Sequence, residues 1–272
     1  MNFFDERSIG LFDTGVGGLS VLKKMLEVFP NENFIYVADN LRIPYGERTP
    51  EEIRNFTKEC FYVLEKENVK SAVIACNTST SYALDTVSEA FDFPVLGVIG
   101  PATKDAIKST KNKKVLLWAT DATVKSKIYD KTISNIDNEI ILNSQGCPKL
   151  VLAAENGHAE DDIGYEVCQE YLKEFKDFNY DTIILGCTHF PLAESNIRVL
   201  LREHGKDVRI VNPAYSTAKE MEKLLQAKKM TNNKGSGKIK FFVSGDIDKF
   251  KVVAADVLNL REDEIDVSKF SV

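Results

Sequence analysis

The sequence predicts an α/β fold built mainly from parallel sheets. Short runs rich in β-branched residues recur along the chain, and helix-like stretches lie between most of them. This alternation is typical of parallel sheets, and runs that are apolar at every position fit strands buried on both faces. The predicted strands are Ile9–Phe12, Phe34–Ala38, Ala72–Ala75, Val95–Ile99, Val115–Trp118, Ile140–Leu142, Thr182–Leu185, Arg209–Val211 and Ile239–Val243.

Two helix starts are visible between these strands. Thr49 is a capping residue, Pro50 suits the first helical turn, and Glu52 completes a capping box. The helix that follows places on one face the residues Ile53, Phe56, Cys60, Phe61 and Leu64. Asp246 is expected to cap a helix carrying Phe250, Val253, Ala254 and Val257, and Asn232–Lys238 is expected to be a flexible loop.

Composition limits the classes of function. The chain has 272 residues, 43% of them apolar, which allows one large domain or two ordinary ones. Its net charge is −6, and its one basic cluster, KNKK at Lys111–Lys114, is too short to argue for nucleic-acid binding. No apolar run approaches the ~20 residues that span a bilayer. The start MNFFDERSIG has no secretion-signal pattern, so we expect a cytoplasmic protein that binds no membrane.

Cysteines follow two of the predicted strands at matching points. Cys76 follows a strand in AVIACNTSTS, and Cys187 follows another in DTIILGCTHFPL. In open α/β sheets, ligands bind beyond the carboxyl ends of the strands. Either cysteine alone is better explained as structural, but the shared placement favours a function for both. Cys60 and Cys168 lie in amphipathic helices and are predicted to be structural, and Cys147 precedes a proline in a loop with no mechanism that needs it.

Three kinds of chemistry suit a pair of such cysteines. Metal binding is disfavoured because Cys187-x-His189 lacks a partner pair at zinc-site spacing and the chain has only three histidines. The five cysteines form no Cys-x-x-Cys pair, which argues against a redox disulfide. Acid/base chemistry remains: a thiolate takes a proton from carbon, and a thiol on the opposite face returns one, which inverts the stereocentre.

Two turns near the N-terminus are further candidates for a site. DTGVGG from Asp13 follows the first strand and is not the dinucleotide pattern G-x-G-x-x-G. Its Asp-Thr-Gly invites comparison with aspartic hydrolases, which need two such carboxylates. Pro44-Tyr45-Gly46 is a turn that offers a backbone N–H and an aromatic hydroxyl to a ligand. A hydrolase using Asp13 and a small-molecule binding module are therefore the alternatives to an enzyme that uses both cysteines.

Taken together, these motifs resemble the glutamate racemases of the cofactor-independent aspartate/glutamate racemase superfamily. The resemblance covers nearly the whole chain and rests on DTGVGG from Asp13, PYG from Pro44, CNT from Cys76 and GCTHFPL from Gly186. Supporting stretches are ATDATVKSKIY from Ala119, CPKLVLAAENG from Cys147, VNPA from Val211 and SGD from Ser244. The chain departs from the family pattern at Thr14, where Ser is usual, and at Ala119-Thr120, where Gly-Thr is usual.

The resemblance implies two similar α/β domains with the active site in the cleft between them. Residues 1–98 plus 210–272 would form the first domain, with Asp13 and Cys76, and residues 99–209 the second, with Cys187 and His189. It implies that Cys76 and Cys187 transfer the proton, that Asp13 assists Cys76 and His189 assists Cys187, and that Glu155 acts near the second cysteine. The implied substrate contacts are Asp13, Thr14, Tyr45, Gly46, Asn77, Thr78, Thr188 and His189.

The resemblance also implies the reaction and its setting. The substrate would be glutamate, interconverted between its L and D forms to supply D-glutamate for bacterial peptidoglycan. No cofactor and no metal are expected, so pyridoxal phosphate, the conventional electron sink for such a proton, would play no part. A homodimer is expected.

Overall fold

The computed structural model describes residues 5–272, and its elements alternate between strands and helices along the chain. The strands are β1 (Ile9–Asp13), β2 (Phe34–Ala38), β3 (Ser71–Ile74), β4 (Val95–Gly97), β5 (Lys114–Ala119), β6 (Ile141–Gly146), β7 (Thr182–Gly186), β8 (Arg209–Val211), β9 (Ile239–Val243) and β10 (Val267–Lys269). The helices are α1 (Leu19–Val28), α2 (Pro50–Lys66), α3 (Asn77–Ala90), α4 (Ile99–Ser109), α5 (Asp121–Ser126), α6 (Ile128–Ile136), α7 (Pro148–Glu155), α8 (Asp162–Lys173), α9 (Glu194–Glu203), α10 (Pro213–Lys228) and α11 (Ile247–Leu258).

The chain forms two compact units, and the first is discontinuous in sequence. It comprises the residues up to Val98 together with Ala214–Val272. Its sheet has six parallel strands in the order β10-β9-β2-β1-β3-β4. The central strands β1 and β2 are buried at every position, and Phe12 packs edge-on against Phe61 of α2 with ring centroids 6.1 Å apart. Because all strands are parallel, the segments that follow β1, β2, β3 and β9 emerge at one edge of this sheet.

The second unit, Ile99–Pro213, is one continuous stretch of chain. Its sheet has four parallel strands in the order β6-β5-β7-β8. Trp118 of β5 is fully buried and meets Tyr171 of α8 edge-on at 5.9 Å. Strand β7 is buried throughout and ends at Gly186, directly before Cys187. The core of this unit therefore fixes the start of the segment that carries the second cysteine.

The predicted fold class is confirmed, and so are both predicted helix starts. The Thr49 hydroxyl accepts the N–H of Glu52, and the Glu52 carboxylate accepts the N–H of Thr49. Asp246 caps α11 by accepting the N–H of Lys249 at 3.0 Å. The segment 232–238 is a loop, as predicted, and Asn232 within it is buried.

At the edges of the sheets the sequence prediction is incomplete. Strand β6 runs on through Asn143, Ser144 and Gln145 because these polar residues pair with β5, whereas the apolar run stops at Leu142. Strand β10 has only one apolar residue, Val267, and is not among the predicted strands. Within residues 5–272, every helix is too short or too polar to cross a membrane.

Candidate active site

Cys76 sits at the N-terminus of helix α3, immediately after β3. Its backbone is extended, it is the N-cap of the helix, and its sulfur accepts the N–H of Ser79 at 3.4 Å. The side chain is 7% exposed. The positive end of the helix dipole favours a thiolate at this position. The local structure thus supplies one condition for a reactive cysteine.

Asp13 lies at the carboxyl end of the neighbouring strand β1 and is completely buried. Its Oδ2 accepts the N–H groups of Gly15 and Gly18, each at 3.0 Å. A Cβ on Gly18 would fall 2.5 Å from the Cβ of Asp13, so only glycine allows this close approach. Asp13 therefore binds the turn that leads into α1, while Gly18 occupies the cap position itself.

The pKa of Cys76 reflects these neighbours. Burial, and then the charge of Asp13, raise this pKa to about 11. Ser79 and Thr14 act in the opposite sense, and the Thr14 hydroxyl lies 4.0 Å from the sulfur. At neutral pH the group is a thiol, and forming its thiolate depends on the donors around it.

Asn77 and Thr78 form the first turn of α3 beside Cys76. Both are buried, at 2% and 3% exposure. They stand where β3 gives way to its helix, the position that ligands occupy in open α/β sheets. With Asp13 and Thr14 they place four of the predicted substrate-binding residues at one edge of the first sheet.

Tyr45 and Gly46 lie in the segment that follows β2. The Tyr45 ring is 2% exposed, and its hydroxyl donates to Asp39 at 2.6 Å. Burial is the main reason that the pKa of Tyr45 is far above its usual value. The sequence prediction offers this hydroxyl to a ligand, whereas in the structure it donates to Asp39.

Asp39 organises this turn and is not among the predicted site residues. It is fully buried and accepts hydrogen bonds from Tyr45, from Arg42 Nε at 2.6 Å and from the Ser244 hydroxyl at 2.7 Å. The N–H of Gly245 donates to the side chain of Asn40 at 2.6 Å. The SGD motif at Ser244 therefore acts by tying the end of β9 to the segment after β2. In the sequence, the SGD motif is the only sign of this connection, and it does not show which residues Ser244 and Gly245 would contact.

Cys187, in the second unit, directly follows β7 and is 6% exposed. Its sulfur lies 3.6 Å from Nδ1 of His189. A Cβ on Gly186 would come within 2.7 Å of Leu117 and 2.9 Å of the Trp118 carbonyl oxygen, so the strand end is closely packed. Thr188 and His189 are partly buried. The two side chains that the sequence prediction associates, those of Cys187 and His189, thus lie close together in the structure.

Two further groups lie within electrostatic range of Cys187. Tyr129 of α6 is 1% exposed, and its pKa is raised by burial and then by Cys187. Cys147 is fully buried, and its pKa is raised well above the usual value by burial, then by Cys168 and Cys187. Tyr129 belongs to the ATDATVKSKIY stretch, but nothing in the sequence indicates its nearness to the cysteine.

The other thiols have structural surroundings. Cys60 is fully buried in α2, and Cys168 in α8 has a pKa raised to about 12 by burial. Cys147 is the N-cap of α7, and its thiol donates to the carbonyl of Gln145 at 3.6 Å. Among residues 5–272, none of the five cysteines forms a disulfide.

Glu155 is the last residue of α7 and is exposed. The described part of the chain gives its carboxylate no hydrogen bond and no ion pair. A negative charge is unfavourable at a helix C-terminus, so the helix itself gives no reason for an acidic residue here.

Comparison with known proteins places the chain in a family. The family model for Asp/Glu/hydantoin racemases matches residues 9–221. The chain therefore belongs to the aspartate, glutamate and hydantoin racemase family, and it is an enzyme of the isomerase class.

Its similar relatives within that family are glutamate racemases. The chain is 40% identical to one from Thermoanaerobacter pseudethanolicus, over 98% of this chain and 100% of the relative. It is 39% identical to glutamate racemase 2 of Caldanaerobacter subterraneus, over 96% and 97%. A crystal structure of a Bacillus anthracis glutamate racemase matches with a TM-score of 0.92 and 34% identity over 98% of both chains.

Proposed function

We propose that this protein interconverts L- and D-glutamate. The observation that carries the proposal is that each cysteine emerges from a parallel strand beside its own ionisable partner: Cys76 beside Asp13, and Cys187 beside His189. The glutamate racemases of Francisella tularensis and Escherichia coli, both similar to this chain, have crystal structures in complex with D-glutamate and with L-glutamate. These relatives support glutamate as the substrate.

The reaction proceeds by two proton transfers at the α-carbon. One cysteine, as a thiolate, takes the α-proton, so that a C–H bond breaks and an S–H bond forms. The other cysteine, as a thiol, gives its proton to the opposite face of the carbanion, and its sulfur becomes a thiolate. The roles of Cys76 and Cys187 exchange with the direction of reaction, and no electrons leave the substrate.

Asp13 and His189 keep the two sulfurs ready for these roles. Asp13 raises the pKa of Cys76 and so favours its acid form, whereas the N-terminus of α3 favours its base form. The imidazole of His189, 3.6 Å from Cys187, can take the thiol proton or return it. Each cysteine therefore has neighbouring groups that can favour its thiol form or its thiolate form.

Substrate binding relies on local donors because the net charge of the chain is −6. Asn77, Thr78 and Thr188 are proposed to donate to the α-carboxylate, where the donors also stabilise the charge of the carbanion. Thr14 and the turn at Tyr45 and Gly46 are proposed to bind the rest of the substrate. Glu155 is proposed to assist near the second cysteine.

Several finer predictions accompany the activity. We propose that the enzyme needs no pyridoxal phosphate or metal, that it acts in the cytoplasm as a homodimer, and that its D-glutamate supplies peptidoglycan. They rest on the family likeness.

The decisive experiment follows glutamate in deuterated water. Cys76→Ala and Cys187→Ala are each expected to abolish racemisation, measured by circular dichroism, because each removes one of the two proton carriers. Cys168→Ala, which removes a buried thiol of the same unit as Cys187, is the matched control and is expected to racemise glutamate with α-deuteration.

Two outcomes would contradict the proposal. If either single variant keeps near-native turnover, the two-cysteine mechanism is wrong. If the parent protein turns over aspartate as well as glutamate, the substrate assignment is wrong. Binding of glutamate without α-proton exchange would instead identify a binding module.

A further inference from the structure

The start of helix α3 contains four consecutive hydroxyl residues, Thr78 to Ser81, and the last three of them differ in their hydrogen bonds. The Thr80 hydroxyl donates to the carbonyl of Ile74 at 3.2 Å, and the Ser81 hydroxyl donates to the carbonyl of Asn77 at 2.9 Å. Ser79 is completely buried, yet its hydroxyl has no aligned hydrogen-bond partner among residues 5–272. A serine hydroxyl inside a helix usually bonds back to a carbonyl of the preceding turn. The buried Ser79 hydroxyl without such a bond therefore needs an explanation.

Keeping a buried hydroxyl without a partner costs free energy, because the group has lost its hydrogen bonds to water. Alanine at this position would avoid that cost and is also the better helix former. Helix stability and packing therefore do not account for serine at position 79.

Ser79 stands three residues after Cys76, on the first turn of the helix that Cys76 caps. Its backbone N–H already donates to the Cys76 sulfur at 3.4 Å. Its side chain also lies near enough to the sulfur to lower the pKa of the thiol, although the hydroxyl is not aligned for a hydrogen bond in this state. In a capping box, the residue three positions after the cap likewise reaches back to it.

The other groups that face Cys76 come from neighbouring strands. Asp13 raises the pKa of the thiol, and the Thr14 hydroxyl at 4.0 Å lowers it. Tyr36 of β2 is buried within electrostatic range and donates its hydroxyl to the carbonyl of Gly15. The charge of Asp13 opposes ionisation, and Tyr36 donates its hydroxyl elsewhere. The groups that favour the thiolate are therefore the Thr14 hydroxyl and, on the helix that Cys76 itself caps, the backbone and side chain of Ser79.

We propose that Ser79 is a positioning residue whose hydroxyl is left without a protein partner so that it donates to the Cys76 sulfur when that sulfur becomes the thiolate. The hydroxyl then supports the base form of Cys76 and is free again when the proton returns. The role in catalysis rests on the proposed function above, whereas the effect on the Cys76 sulfur does not.

The test compares Ser79→Ala with the parent protein in alkylation by iodoacetamide, with each cysteine followed separately by mass spectrometry across a range of pH. Removing the hydroxyl raises the pKa of Cys76, so the alkylation profile of Cys76 is expected to shift up by about one pH unit. At a fixed pH below the midpoint, the rate at Cys76 falls about tenfold. The rate at Cys187 is expected to stay unchanged.

Further variants separate this role from a merely structural one. Ser79→Ala is expected to unfold at the same temperature as the parent or higher, while its racemisation slows. Ser79→Thr keeps the hydroxyl and is expected to restore the Cys76 profile. Ser81→Ala loses a hydroxyl one position further along the helix that is already bonded to Asn77, and it is expected to match the parent.

The inference is overturned if the Cys76 profile of Ser79→Ala is unchanged, if Cys187 shifts equally, or if Cys76 resists alkylation in the parent. It stands or falls separately from the proposed function. If Ser79→Ala shifts the Cys76 profile but the parent protein has no racemase activity, the proposed function is rejected and the inference is kept. If the parent is active but Ser79→Ala leaves the Cys76 profile unchanged, the inference is rejected and the proposed function is kept.

Discussion

Asp13 combines two tasks that the chemistry of a carboxylate makes compatible. Its Oδ2 holds the N–H groups of Gly15 and Gly18, so the side chain is fixed in place by its own turn. Its charge at the same time opposes ionisation of Cys76. The carboxylate is therefore held in place by its own turn while its charge acts on the thiol.

Asp13→Asn separates these two tasks. The amide oxygen can still accept the N–H groups of the turn, but the negative charge is gone, so the pKa of Cys76 is expected to fall. Cys76 should then react faster with iodoacetamide at a fixed pH, the direction opposite to that of Ser79→Ala, while racemisation falls by roughly 10²-fold. Slower or unchanged alkylation would contradict this account of the Cys76 environment, and near-parental racemisation would exclude Asp13 from proton transfer.

Some of these residues can be predicted from the sequence and others cannot. Cys76 and Cys187 are predictable because each follows an apolar strand in the same local pattern, and Asp13 is predictable because a glycine turn follows it. Asp39 is not, since its role depends on Ser244, which lies 205 positions away in the sequence. The sequence prediction offers the Tyr45 hydroxyl to a ligand because no local pattern shows that Asp39, six positions earlier, accepts its hydrogen bond.

Among the elements, α2 shows how a helix start is set by local chemistry. Thr49 and Glu52 satisfy each other's backbone N–H groups, and Pro50 occupies a position where no N–H is needed. The pKa of Glu52 is lowered, chiefly by the hydrogen bond from the backbone of Thr49. A carboxylate with a lowered pKa stabilises the fold above its unfolded pKa, and that contribution is lost as the pH falls through the folded value.

Thr49→Ala tests the cap directly. Loss of the hydroxyl is expected to reduce the free energy of unfolding by about 1 kcal/mol, measured by urea denaturation near neutral pH. Thr49→Ser, which keeps the hydroxyl, is the matched control and should stay close to the parent. An alanine variant as stable as the parent would show that packing alone sets this helix start.

The edges of the two sheets mark the limit of what local patterns predict at this scale. Central strands such as β1 and β7 are buried on both faces, so their composition is apolar at every position and their existence is readable from sequence. Edge strands need not be apolar at every position. Strand β6 includes Asn143, Ser144 and Gln145, and the three residues of β10 are held by pairing with β9.

At the scale of the first unit, an ion pair is buried at the amino end of the sheet. Lys70, just before β3, is 0% exposed and lies 2.5 Å from Glu32, which is 2% exposed. Lys70 also donates to the carbonyl of Asp5 at 2.8 Å, and Glu32 accepts the N–H of Asn232 at 2.7 Å. Four segments that are distant in sequence therefore meet at one pair of charges.

Glu32→Gln keeps the shape of this site and removes its negative charge. Lys70 would then be buried without a counter-charge, and the free energy of unfolding is expected to fall by about 3–5 kcal/mol, as read from urea denaturation. Glu27→Gln, which breaks the exposed pair with Lys24 at 2.7 Å, is the control and should change stability by less than about 1 kcal/mol. If the two variants lost the same free energy of unfolding, burial would not be what makes the pair of Glu32 and Lys70 important for stability.

The discontinuity of the first unit has a consequence for the order in which the molecule is made. On the ribosome, Ile99–Pro213 emerges as one continuous piece and can fold as soon as it is complete. The sheet that carries Cys76 must wait for β9, because only β9 brings Ser244 to Asp39 and joins β2 to β10. The nascent chain can thus complete the unit that carries Cys187 before it completes the sheet that carries Cys76.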